Sequence, residues 1–163
     1  FKKLIVSVLR SIQIKHFAIV EQIELDIHAG LNVITGETGA GKSIIIRALG
    51  LVLGQRADSN VVKHGHQRAE IQADFAITSN PSVIKLLESL QLDEDGECLL
   101  RRVINVDSGS KAYINGRQVT AAILRQVGER LLDIHGQHEH QSLLRADVQQ
   151  TLVDKYAGLS DAV

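Results

Sequence analysis

The chain has 163 residues, 44% of them hydrophobic, enough for one proper core and a small appended lobe. Its 18 lysines and arginines almost balance 19 aspartates and glutamates, which excludes an overall basic coat for nucleic acid and an acidic solvating tail, so any DNA contact must rest on local surface. A single cysteine, Cys98, excludes an internal disulfide framework or a thiolate metal cage and fits a reduced cytoplasmic setting; no run reaches the ~20 apolar residues that cross a bilayer.

At the N-terminus, "FKKLIVSVLR" places two lysines before an apolar run too short for a secretory signal and without a small-residue cleavage site. It reads as a first strand or as a segment extra to the domain, with residues 1–8 set apart on that account, and the missing initiator Met suggests a chain not intact at its start. "SIQIKHFAIV" (11–20) and "EQIELDI" (21–27) alternate apolar and polar residues and predict two half-buried strands, the second with Ile23, Leu25 and Ile27 on one face. A turn at His28–Gly30 follows. "LNVIT" (31–35) predicts a buried strand, and "KSIIIRALGLVLG" (42–54) a buried helix stopped by Gly54.

"AEIQADFAI" (69–77) again alternates as a strand, and "NPSVIKLLESL" (80–90) predicts a helix with Asn80 as N-cap and Pro81 in its first turn. Residues 98–119 predict an antiparallel meander in which Asn115-Gly116 forms a tight turn. A short helix near 120–130 and an apolar strand "LLDIH" come next, and from Leu143 helical spacing continues without a closing strand.

Between the expected strand and helix lies "GETGAGKS". In Gly36-Glu37-Thr38-Gly39-Ala40-Gly41-Lys42-Ser43 the glycines allow positive φ, so that successive N–H groups can turn inward as a cradle for phosphate oxygens. The following helix adds its positive N-terminal end. Lys42 is expected to reach the β- and γ-phosphates of a nucleotide, and the Ser43 hydroxyl to sit on the Mg²⁺ that bridges them. The full match in its strand-loop-helix context separates it from an incidental glycine-rich turn.

The residues beyond the loop decide the class. There is no Asn-Lys-x-Asp element for a GTPase, and "LLRR" (99–102), the one candidate for a kinase-type arginine lid, lies in strand-like sequence. Asp133 in "RLLDIHG" imitates a metal-binding Walker B aspartate, but the run before it is not continuously apolar and Ile134 stands where a glutamate is expected, so a surface or strand-end acid is the favoured reading. Gln137 is placed to lie between metal and attacking water, or else is a polar loop residue. His135, His138 and His140 lack the spacing of a metalloprotease pair and suit a solvated role, or one around the nucleotide, better than zinc.

The segments "IKHFAIVEQIELDIHAGLNVITGETGAGKSIIIRALGLVLGQRAD", "VVKHG", "LLRRVI", "INGRQV" and "DIHGQHEHQSLL", in this order, resemble the N-terminal half of the ATPase head in the RecN family of bacterial DNA repair proteins, relatives of the structural-maintenance-of-chromosomes (SMC) ATPases. The resemblance covers residues 9–158. It implies an α/β P-loop NTPase fold of the ATP-binding-cassette type, with a parallel core around the loop and an adjoining antiparallel strand region. It divides the chain into an N-terminal head lobe (9–142) and the start of a coiled-coil helix (143–163). It also implies ATP and Mg²⁺, with Gly36–Ser43 as Walker A and Gln137 as the Q-loop glutamine, and gives Arg56 in "GQRAD" as a nucleotide- or DNA-sensing contact or a solvated arginine.

The implied partners are the C-terminal half of the same head, a second copy closing over two ATP molecules, DNA at double-strand breaks, and recombination proteins, in a bacterial, nucleoid-associated, SOS-type damage response without a membrane. The Leu-Ser-Gly-Gly signature, a Walker B strand with its glutamate and the switch histidine are absent from these residues, so ATP is expected to be held here and cleaved only with groups from elsewhere. Two other readings stand beside this one: another SMC or cassette ATPase lobe, and a DNA-end-binding scaffold that does not depend on ATP.

Overall fold

The computed structural model describes residues 8–28, 32 and 40–132, all within one compact unit. The elements in chain order are β1 (Val8–Phe17), β2 (Val20–Asp26), α1 (Ala40–Val52), a 3-10 turn (Ser59–Val61), β3 (Arg68–Ala76), α2 (Pro81–Ser89), β4 (Glu97–Asn105), β5 (Gly109–Ile114), β6 (Arg117–Val119) and α3 (Ala121–Leu131). The expected first pair and the later meander join in a single six-stranded sheet, ordered β2-β1-β3-β4-β5-β6 and antiparallel throughout. The antiparallel region is therefore continuous through β1 rather than an appendage. Of the strand expected at 31–35 only Asn32 is described, exposed and not in a strand; the rest, with the parallel core it was to begin, lies outside the described residues, as do the helix from Leu143 and residues 1–7.

Register explains why the two parts join. Ile12 and Ile14 of β1 stand opposite Ala73 and Ile71 of β3, while Leu25 and Ile23 of β2 flank them on the other side. Alternation therefore gathers one apolar face, continued by Leu100 and Ile104 of β4 and Ile114 of β5, all buried. Helix α1 packs on β1, β3 and β4, and α3 packs on β5. Each fully buried isoleucine or leucine here stabilises the fold by about 1.5–3 kcal/mol.

Local signals place the connections. Asn115 (φ 47°) and Gly116 (φ 76°) make the two-residue turn joining β5 to β6. The Asn115 amide also ties the turn down, accepting from the Leu99 N–H and donating to the Leu92 carbonyl, both at 2.7 Å. Asn80 caps α2 by accepting from the Val83 N–H at 3.2 Å, and Thr120 caps α3 by accepting from the Ile123 N–H at the same distance.

Two expectations need correction. The first strand does not run to residue 20: Phe17 pairs with Val20 across Ala18 and Ile19, and Ala18 takes a positive φ without a glycine or asparagine to announce it. "LLDIH" is not a strand from its first residue, because Leu124, Val127 and Leu131 share one buried face and carry α3 through Leu131, with Leu132 as C-cap. The remainder of that segment lies outside the described residues.

Candidate nucleotide-binding site

Helix α1 begins at Ala40, inside the glycine motif, and its first turn contains no acidic residue. Gly41, Lys42 and Ser43 are exposed, and among the described residues no ion pair engages Lys42. The helix is not buried along its whole length as the sequence suggested. Ala48, Leu51 and Val52 lie inside, whereas Ile46 is 55% exposed and Arg47 faces solvent. Burial thus anchors the C-terminal half on the sheet and leaves the N-terminal turn presented outward.

The far end of α1 is fixed by close packing. Gly54 adopts φ 105° as the chain leaves the helix, and a Cβ there would run into the Arg125 backbone. A Cβ on Gly128 would strike the Leu53 carbonyl. Backbone of α3 therefore sits directly against the end of α1, which fixes the helix that carries Lys42.

The first turn suits a polyphosphate. Its backbone N–H groups lack intrahelical acceptors, the helix end is positive, and Lys42 adds a cation with no carboxylate in that turn to neutralise it. Ser43, one residue on, supplies a hydroxyl of the kind a phosphate-bound Mg²⁺ takes as ligand. These residues fit Mg-ATP from the helix side. Gly36, Glu37, Thr38, Gly39 and Gln137 lie outside the described residues, as do Asp133, His135, His138 and His140.

The structure brings together a charged group that the sequence did not single out. His16 and His66 stack with ring centroids 3.9 Å apart and planes 16° from parallel. Their Nε2 atoms lie 3.3 and 3.5 Å from Glu21 Oε1, while Lys63 Nζ lies 2.6 Å from Glu21 Oε2. The Lys63 hydrogen bond, aided by the Lys63 charge, holds the Glu21 carboxyl below the usual glutamate range. Although the three candidate ligand atoms are within 4.8 Å of one another, parallel stacked rings cannot both aim in-plane lone pairs at one ion, and Lys63 occupies the other carboxylate oxygen. The group is a salt-bridge knot binding the β1–β2 hairpin to the loop after α1, reinforced by Lys63 N–H donating to the His16 carbonyl at 2.8 Å. Its one sequence signal was the proximity of Lys63 and His66 in "VVKHGH"; His16 and Glu21 arrive through the fold.

The two neighbouring arginines of "LLRR" separate onto opposite faces of β4. Arg101 reaches Glu70 at 2.6 Å and lies over the Tyr113 ring at 5.2 Å; Arg102 points into the helix-covered face. Neither belongs to a lid, since both are ladder residues of a central strand. Arg56 is exposed just past α1, at the end opposite Lys42.

The AAA domain family pattern matches residues 11–156. The chain is 50% identical over 149 residues to the DNA repair protein RecN of Xylella fastidiosa (strain Temecula1 / ATCC 700964), covering 91% of this chain and 27% of that protein. It is 44% identical over 153 residues to RecN of Vibrio cholerae serotype O1, covering 94% and 28%. The chain thus spans about a quarter of the length of these curated relatives. A solved chain from work on ATP-driven dimerisation and DNA-stimulated activation of SMC ATPases superposes with a TM-score of 0.64 at 19% identity, over 90% of this chain and 97% of that one. The fold is that of a P-loop ATPase head of the SMC type, and the RecN resemblance read from the motifs holds along the chain.

Proposed function

The chain belongs to the AAA domain family, and from that premise we propose that it is the ATP-holding lobe of an SMC-like head that acts in DNA double-strand-break repair by recombination. The observation that carries the reading is the exposed first turn of α1, with Lys42 unneutralised and Ser43 beside it, directly after the glycine loop. Similarity to RecN supplies the repair setting. The superposed SMC head supports a role for ATP in closing one head upon another.

In this reading the backbone of residues 36–40 and Lys42 would hold the phosphates, Ser43 would hold Mg²⁺, and Gln137 would position the attacking water. ATP supplies the phosphoanhydride bond and Mg²⁺ the charge neutralisation. The chain's own contribution is positioning: the sheet beneath α1, and the packing of the following Leu53–Gly54 turn on α3, fix the axis of α1, so Lys42 and the first-turn amides are presented together. The carboxylate that completes hydrolysis comes from the C-terminal half of the head, and the signature motif from a second copy. The site of action is the bacterial cytoplasm, at the nucleoid.

Steady-state turnover tests the reading. The folded 163-residue chain is expected to bind Mg-ATP and to hydrolyse it no faster than a Lys42→Ala variant; adding the remaining half of the head should produce turnover that Lys42→Ala abolishes. Turnover by the chain alone, lost in Lys42→Ala, would mean that the catalytic carboxylate lies within these residues.

A further inference from the structure

A cleft of about 440 Å³ opens to solvent where the turn leaving α1 meets β4, β5 and the first turn of α3. Its wall includes the arginines Arg56, Arg102 and Arg125, together with Ser110 and Ala121, and, among the described residues, no carboxylate. Arg102 is the anomaly. On β4 it stands between Ile71 of β3 and Ala112 of β5, in a cross-sheet row otherwise made of Ile23, Ile14 and Val119. Five apolar residues and one arginine thus share one line of the apolar face.

That arginine is 3% exposed, and only one of its nitrogens has a partner: Nη2 donates to Ser110 Oγ at 2.9 Å, while Nε and Nη1 are buried without an acceptor. A guanidinium stays charged in any protein, and a buried charge without a counter-ion is costly. Its neighbour on the same strand shows the usual remedy, since Arg101 has Glu70 at 2.6 Å. The cleft lends two further cationic groups: Arg56, in no described ion pair, and Arg125, engaged only with Glu129 on the exposed surface of its own helix. Helix α3 adds its positive end, and the Ala121 and Ala122 N–H groups that begin it have no intrahelical acceptor.

We propose that this cleft is an oxyanion site that takes a phosphate group, free or as the phosphodiester of a DNA strand, between Arg102, Arg56 and the first turn of α3. The group supplies the acceptors that Arg102 lacks. The site is separate from the nucleotide loop, because ten residues of helical rise, about 15 Å, lie between Lys42 and Val52 at the end of α1. Planar guanidinium donors suit phosphate oxygens, and the opening to solvent lets a backbone phosphate approach from outside.

The test uses the 163-residue chain carrying Lys42→Ala, so that the outcome does not depend on the ATP loop. Inorganic phosphate is titrated at constant ionic strength, and the backbone amides of Ser110, Ala121 and Ala122 are followed by NMR. The site predicts saturable shifts at these amides, lost in Arg102→Gln and weakened about tenfold in Arg56→Ala, an exposed change that leaves the core intact. A short DNA duplex is then titrated in the same way. Shifts of the same amides that phosphate reverses identify the phosphodiester as the source, whereas shifts with inorganic phosphate alone identify a free phosphate; either result supports the site. Absence of saturable shifts with both probes, or shifts undiminished in both Arg102→Gln and Arg56→Ala, overturns it.

Discussion

At its N-terminal end α1 holds Gly41, Lys42 and Ser43 out in solvent, with positive charge left free; at its C-terminal end, backbone packs on backbone at Leu53, Gly54, Arg125 and Gly128, and an arginine is buried close by. The first end is organised locally, by the first turn of a helix that begins at Ala40 inside the glycine motif. The second is organised by contacts between residues some 50 to 75 positions apart. One helix thus holds a charge accessible at one end, on Lys42, and lies beside a charge kept inside at the other, on Arg102 of β4, with the sheet holding both in place.

The largest expected effect attacks the packed end. Gly128→Val forces a branched side chain into the Leu53 carbonyl and should cost about 2–3 kcal/mol in urea unfolding, since neither backbone can give way freely. An unchanged midpoint would mean that α3 does not hold α1. Lys42→Ala, at the open end, should leave stability within about 0.5 kcal/mol, as expected for an exposed side chain without partners.

A smaller effect sharpens the contrast between buried and exposed charge. Replacing Arg102 by Met, of similar reach and no charge, should raise stability by about 1–2 kcal/mol in the same measurement, because it removes two buried donors without acceptors. Destabilisation instead would show that the guanidinium is already satisfied within the fold. Asp74, on the other face of the sheet, shows the same burial penalty on a carboxyl, whose pKa is raised by desolvation.

An effect smaller than that at Arg102 concerns Arg101. Its hydrogen bond holds the Glu70 carboxyl below the ordinary glutamate value of 4.5, so the pair's contribution is complete above that value and is lost as pH falls through the lower folded one. At part-exposed groups the loss should be about 0.5–1 kcal/mol, seen as a shallower acid limb of the stability profile in Glu70→Gln than in the parent chain.

These two ends also mark how far the sequence could be read. The helix after the glycine motif, Asn80 as a cap, the Asn115-Gly116 turn and the strands of the meander were all legible, because each is encoded within a few neighbouring residues. The joining of β1 to β3, the stacking of His16 on His66 and the inward turn of Arg102 were not. In "LLRR" two identical side chains stand next to one another, and only the register with Ile71 and Ala112 decides which of them enters the core. The β1–β2 turn was missed for the opposite reason: Ala18 takes a conformation its own chemistry does not advertise.

The most direct measurement is the affinity of the 163-residue chain for Mg-ATP by titration calorimetry, beside Lys42→Ala. The account predicts a saturable one-site isotherm weakened at least about tenfold in the variant, the loss of one charge-assisted phosphate contact. Equal affinity in the two proteins would contradict it, and the exposed end of α1 would no longer be the nucleotide site.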